Sequence, residues 1–462
     1  MAGKAEQRIA EFIVETDADA IPAECYRAAR EACFDCAGVM LAGVVEPHGR
    51  MIVDFASREG GPGPCTVVGT AVRTSATMAA LANGTLGHAL DYDDMGGFGH
   101  PSVALLPSAL AAGELADASG RDVLTAYILG FEVAYQLSRA SRYNQGERGF
   151  HSTAVFGTLG AVAAAARLLR LSPEQTIMAL GIAGSMPSGV LQNFGTQTKP
   201  LHAGMIGRNG VMAATLARAG WLACDNIIES KVGWAAVYIG AGNYDAQAMV
   251  KDLGSVWTIQ DTIVIKKYPC CGTNHSALDS LLALRREHRF QWDEVAEVEV
   301  TGLPDTSHVL LYPEPRYGFQ GKFSLPYNVA TALLDGRVDI DSFADERLAR
   351  PELAQALSKV EVKVISRWNP AYSPHPTETP VIVRLRDGRT LTRSTNRHTM
   401  HGTPADPLSA EELRDKFRRN ARLCLPAEEA ERALAMWWEI DAAARVRDAL
   451  AVAAPSRIGG CA

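Results

Sequence analysis

AVFGTLGAVAAAARLLR, from Ala154 to Arg170, is the stretch that decides the fold class. It is helical in length, and its unbroken small and apolar part, Ala154 to Ala166, falls short of the roughly 20 residues a membrane span needs. It therefore reads as a helix buried on most sides, with Ala and Gly faces that let neighbouring backbones approach closely. Similar runs surround it: EQRIAEFIVE, AECYRAAREACFDCAGVMLAG, SATMAALANGTLGHALD, SVALLPSALAAGELADAS, VLTAYILGFEVAYQLSRA, PEQTIMALGIAG and GVMAATLARAG. The clearest start signal is Ser172-Pro173-Glu174-Gln175, with serine at the N-cap, proline at the first helical position and glutamine three residues after the cap.

Composition shifts near residue 259. TIQDTIVIKKY, VAEVEVTGL, KVEVKVI and TPVIVRL cluster or alternate β-branched residues and predict strands. Asp387-Gly388 between PVIVRLR and RTLTRST is a two-residue hairpin signal. Two helices, SALDSLLALRREH and PYNVATALLDG, interrupt the strands, and a closing helical stretch begins at SAEELRDKFRRNA. The fold class expected is mainly α. A large all-helical domain, 1–258 completed by 403–462, accompanies a smaller α/β domain at 259–402.

The 462 residues hold 45 Lys+Arg against 52 Asp+Glu, a net charge of -7. Hydrophobic residues make up 47% and charged residues 21%, which excludes disorder by composition. The acidic balance argues against nucleic-acid or anionic-membrane partners, but not against an acidic substrate in a locally basic pocket. The first twenty residues have no apolar signal region, so the expectation is a soluble, cytoplasmic protein. Nine cysteines are too sparse for a disulfide scaffold; Cys33-x-x-Cys36 and Cys270-Cys271 read as buried thiols rather than a zinc site.

The densest polar segment is NGTLGHALDYDDMGGFGHPS, Asn83 to Ser102. A helix carrying His88 and Asp91 at i, i+3 is expected to run into a glycine-rich loop, and His100-Pro101 to start the next helix. The spacing of Asp91, Asp93 and Asp94 is not that of an EF-hand. His151 precedes the Ser152-Thr153 start of the long alanine helix, and Lys199 precedes Pro200, read as the start of another. A lone histidine before a helix is more often a cap than a catalyst. Three such positions, however, suit an anion site, because helix N-termini attract carboxylates and keep histidines neutral. In IKKYPCCGTNHSA, Lys266 lies at a strand end and His275 opens a helix; in FSLPYNVA, Tyr327 sits at a helix start, either packed or able to give up a proton.

These motifs, with GFHST, QTKPLHAG, KYPCCGTNHSA, FSLPYNVA and PLSAEELRDKF, resemble in order those of the MmgE/PrpD family. That family includes 2-methylcitrate dehydratase, cis-aconitate decarboxylase and iminodisuccinate epimerase. The resemblance implies a helical domain, a smaller α/β domain, a site between them, homodimers, and neither metal nor cofactor. It also implies proton abstraction beside a carboxylate. By motif, Asp91, His100, His151 and Tyr327 fall at catalytic positions, and Lys199, Lys266, His275 and Met95 at substrate-binding ones. Met95 stands where decarboxylase-like members have threonine, and Cys271 where they resemble histidine. The resulting expectation is a cofactor-independent dehydratase for a small di- or tricarboxylate such as 2-methylcitrate. The alternatives are an epimerase, a cis-aconitate-type decarboxylase or, last, a non-catalytic binder.

Overall fold

The computed structural model describes residues 3–141, 148–365 and 377–454. The segment from Arg142 to Phe150, which the sequence predicts to be a loop that sets pocket width, lies mostly outside the described residues. The chain divides into two compact units: Met1–Leu191, Thr198–Ile265 and Ser409–Ala462 form the first, Gln192–Gln197 and Lys266–Leu408 the second.

The first unit is built from α1 (Lys4–Glu15), α2 (Ala23–Gly43), α3 (Pro47–Gly60), α4 (Ala76–His88), α5 (Pro101–Ala116), α6 (Gly120–Arg139), α7 (Ser152–Leu168), α8 (Pro173–Ala183) and α9 (Thr198–Arg218). C-terminal helices Ala410–Ala421, Ala427–Trp438 and Val446–Val452 complete it, with a short antiparallel pair of strands, β1 (Cys65–Thr66) and β2 (Arg73–Thr74), between α3 and α4. Alanine and glycine set the spacing. At the α6–α7 crossing, a Cβ on Gly130 or on Gly160 would lie 2.6 Å from the other's carbonyl oxygen. At the α4–α9 crossing, a Cβ on Gly84 would lie 2.7 Å from the Ala203 carbonyl. Backbones this close tolerate no side chain, and the second crossing carries His88 of α4 toward the start of α9. Ser172 and Gln175 form the expected capping box at α8. No helix among the described residues is long and apolar enough to cross a membrane.

Helix α3 escapes the periodicity reading, although Pro47 at its first turn and Gly60-Gly61 at its end mark both limits. Helix α9 starts at Thr198, so Lys199 lies inside its first turn rather than ahead of it. The final helical run is broken at residues 440–445 into two helices.

The second unit is a four-stranded mixed sheet, in the order β4-β3-β5-β6, from β3 (Val295–Gly302), β4 (Val360–Val364), β5 (Glu378–Leu385) and β6 (Thr390–Asn396). β3 and β4 run parallel; the other pairs are antiparallel. Val295, Val298 and Val300 of β3 and Val381, Val383 and Leu385 of β5 share one buried face, packed with α10 (His275–His288) and helix Leu325–Asp335. The hairpin has a three-residue loop rather than two, since Leu385 N–H donates to the Arg389 carbonyl and Gly388 takes φ +93. TIQDTIVIKKY is not a strand. A 3-10 turn occupies Ile259–Asp261, and Val264 bridges Met95 of the first unit, which is why that unit extends to Ile265.

Candidate active site

Helix α4 ends at His88, and the chain then turns sharply, with Asp91 at φ +51. Aspartate tolerates this left-handed conformation better than most residues. The expected helical i, i+3 pair is therefore a helix end and a turn residue. Asp91, Asp93 and Asp94 are all buried, which excludes a solvated helix end. Beyond them Met95 exchanges both backbone hydrogen bonds with Val264, and Gly96, Gly97 and Gly99 at positive φ return the chain to His100, the N-cap of α5. His151 caps α7, as expected, and its N–H donates to the Gly189 carbonyl.

Lys199 lies at the centre of this cluster. Its Nζ is 2.9 Å from His88 Nε2, 2.9 Å from Asp91 Oδ1 and 3.5 Å from His100 Nε2. An ammonium only donates, so His88 Nε2 accepts and its Nδ1 carries the hydrogen, which it gives to Asp93 Oδ1 at 2.8 Å. Burial, opposed by Asp93 but helped by Lys199 and His100, pushes the His88 pKa down to about 3. The His88–Asp93 contact is thus a neutral histidine on a carboxylate. Burial alone would raise Asp93; His88 and His100 outweigh it and hold Asp93 well below the usual carboxylate range. His100 Nδ1 lies 3.0 Å from both the Asp94 carbonyl and Asp93 Oδ2, which leaves Nε2 facing Lys199.

Two further layers surround this core. His151 Nδ1 meets His202 Nδ1 at 3.3 Å, with His202 one helical turn beyond Lys199 on α9. Burial, then Lys199, lowers both: His151 well below its usual value and His202 to about 4. On the other side Ser102 donates from its N–H and its hydroxyl to the two Asp94 oxygens, and Tyr127 joins the chain at 2.7 Å. Burial, partly offset by those bonds, pushes Asp94 up to about 8. Sequence reasoning did not single out His202, Ser102 or Tyr127. The i, i+3 spacing of Lys199 and His202 is a signal that was available for the first.

The imidazole and carboxylate atoms of His88, Asp91, Asp93 and His100 lie within 4.8 Å of one another, as do those of His88, His100 and His151, close enough to hold a metal ion. The Lys199 ammonium already supplies a cation to the first set. The donors fit a buried organic cation as well as a metal, and the chemistry below uses no metal.

Each of the other expected residues has its own surroundings. Met95, half-buried, contributes its backbone to the Val264 bridge. In the second unit Lys266 is fully buried, and His275 is buried with Nε2 3.3 Å from the Cys270 carbonyl. Tyr327 belongs to the same unit. It is fully buried in that unit's core, its hydroxyl donates to the Ser342 carbonyl, and burial pushes its pKa up to about 12. Its proton is committed to a backbone oxygen. Its surroundings are those of a packed aromatic, one of the two alternatives its position at a helix start leaves open.

Comparison with known proteins gives a consistent picture. The family model described as the MmgE/PrpD N-terminal domain matches residues 7–247, and that of the MmgE/PrpD C-terminal domain matches residues 268–442. Cis-aconitate decarboxylase of Homo sapiens is 32% identical over 361 residues, covering 76% of this chain and 73% of the relative. The cis-aconitate decarboxylase of Aspergillus terreus is 28% identical, with 74% of each chain covered. The cis-aconitate decarboxylase-like protein oryM of Aspergillus oryzae is 26% identical over 97% of both.

Proposed function

The chain belongs to the MmgE/PrpD family, and from that premise we propose that it is a carboxy-lyase acting on a small unsaturated tricarboxylate of the cis-aconitate class. The observation that carries this reading is the buried Lys199 ammonium between Asp91 and His88, beside His100. Sequence alone favours dehydration of a 2-methylcitrate-like substrate. The relatives sharing about three quarters of the chain are decarboxylases, so the decarboxylase alternative becomes the main reading.

Such a substrate carries a carboxylate on the saturated carbon beside its double bond. As that carboxylate leaves as carbon dioxide, the electron pair of the broken bond forms a new double bond to the central carbon. The pair of the original double bond moves to its far carbon, which bears another carboxylate and takes up one proton. The site must therefore bind flanking carboxylates, stabilise charge beside one of them and deliver one proton to carbon.

Lys199 supplies the positive charge, and α5 and α7, both starting at histidines of the cluster, add the positive potential of their N-termini. His100 is the proposed proton donor. Its side chain is 14% exposed, its Nδ1 side is anchored on Asp93 and Asp94, and its Nε2 faces the Lys199 ammonium. His151, kept neutral beside His202, would bind rather than titrate. Lys266 and His275 are retained as proposed carboxylate ligands on their motif positions.

The test is carbon dioxide release from a panel of cis-aconitate and hydroxylated tricarboxylates, with His100→Gln as the comparison. Release from cis-aconitate is expected, with a loss of about 10²–10⁴-fold in the variant and an unchanged melting temperature. Water loss from a hydroxylated substrate without carbon dioxide would return the assignment to a dehydratase.

A further inference from the structure

Helix Ala410–Ala421, capped by Ser409 with Glu412, lies against α2 far along the chain from the polar segment. It delivers Lys416, 3% exposed, to a point beside the Asp91 turn. The Lys416 ammonium lies 2.8 Å from Asp35 Oδ1, 3.0 Å from Oδ2 and 2.9 Å from the Tyr92 carbonyl oxygen. It also lies 3.9 Å from the centre of the Tyr92 ring. One cation thus holds both the peptide oxygen and the ring of the residue between Asp91 and Asp93.

That residue is where the site needs holding. Asp91 sits at φ +51, in the left-handed region, which even an aspartate holds at some cost. From that turn Asp91 reaches Lys199, and Asp93, two residues on, reaches His88. A rotated Tyr92 peptide would swing both carboxylates off their partners.

A buried lysine–aspartate pair is a poor means of holding two helices together. Its desolvation offsets most of its attraction, and apolar residues of similar volume often do as well. The docking of this helix has other support. Phe417 stacks on Phe34 of α2 with ring centres 4.5 Å apart, and a Cβ on Gly38 would lie 2.9 Å from the Phe417 ring. The charge on Lys416 is therefore better explained by geometry than by adhesion.

We propose that Lys416, oriented by Asp35, is a positioning residue: it fixes the Tyr92 peptide and so aims Asp91 and Asp93 at Lys199 and His88. The claim about geometry stands on these contacts; its effect on turnover rests on the carboxy-lyase reading. Lys416→Met alone would strand the Asp35 carboxylate, so the test variant is Asp35→Asn/Lys416→Met. Protein labelled with 15N-histidine is compared by NMR with the parent, because the nitrogen shifts of His88 and His100 report their bonds to Asp93 and Lys199. Both sets of signals are expected to move in a folded variant, with kcat down by about tenfold or more and KM changed far less. Histidine signals superimposable on the parent's overturn the proposal whatever the activity does. If the double variant does not fold, Asp35→Asn carries the test: movement of the same signals supports the proposal, and none overturns it. A parent protein that turns over no polycarboxylate refutes the carboxy-lyase reading and leaves the histidine spectra to decide this one.

Discussion

Lys199→Met is the most informative single change. Methionine keeps most of the stem of a 2% exposed side chain and deletes the three ammonium donors. Two contacts of 2.9 Å are lost, to His88 and Asp91, and Asp91 at 1% exposure is left without its nearest cation. Hydrogen bonds to charged groups contribute about 1.5–3 kcal/mol each. Breaking a buried ion pair from one side costs about 3–5 kcal/mol, so the two routes agree on a loss near 4 kcal/mol. This loss should depend on pH with a definite sign. His88 is depressed from 6.5 to about 3, so in the parent its contribution is complete above about pH 6.5 and is lost as pH falls toward 3. Burial is the largest cause, but Lys199 is among the others, so the variant's His88 is depressed less and accepts a proton more readily. That proton restores a positive charge beside Asp91. Between the variant's less depressed His88 value and about pH 3, the gap between variant and parent should narrow on acidification, by at most about 1.4 kcal/mol per pH unit, and above that window it should stay flat. Urea unfolding followed by circular dichroism at about pH 8, 6, 5 and 4 measures it. A loss below about 1 kcal/mol at pH 8, or one that widens as pH falls, refutes the reasoning.

Three other changes separate the packing from the chemistry. Tyr327→Phe removes the bond to the Ser342 carbonyl and should cost about 1 kcal/mol of stability, with kcat within about twofold of the parent. A large fall in kcat would restore it as a proton donor. Gly204→Ala places a methyl against the Leu81 carbonyl and Thr85 hydroxyl of α4 and should cost about 1–3 kcal/mol, read as a lower melting temperature. Met95→Thr, which supplies the hydroxyl that the motif resemblance leads one to expect at this position, should raise kcat/KM for cis-aconitate, as measured by steady-state kinetics.

The helical runs were legible because their length and composition are local properties. α2 was read with its observed limits, Ala23 to Gly43, and the His100-Pro101 and His151-Ser152 starts were read because caps are local too. What escaped was decided by contacts distant in sequence. TIQDTIVIKKY has strand composition, yet Val264 pairs only in an isolated bridge with Met95, more than a hundred residues away. Thr198 and Lys199 enter α9 despite Pro200, because proline in a first turn forfeits only an unpaired N–H. Within the cluster, the polar residues Asp91, His100, His151 and Lys199 stood out by type and setting. Their partners did not. His202 looked like one more residue of a helix, and Lys416 like a solvated charge in an acidic and basic run. Tyr327 shows the converse, a motif position whose hydroxyl is taken by a backbone carbonyl that the sequence does not reveal.

The central claim is that this cluster removes carbon dioxide from an unsaturated tricarboxylate and puts one proton on carbon. Proton and carbon NMR of the purified protein with cis-aconitate in D2O tests it most directly. The account expects one carbon dioxide released per substrate consumed and one deuterium at the carbon beside the retained carboxylate. Deuterium exchange or loss of water without carbon dioxide would contradict it.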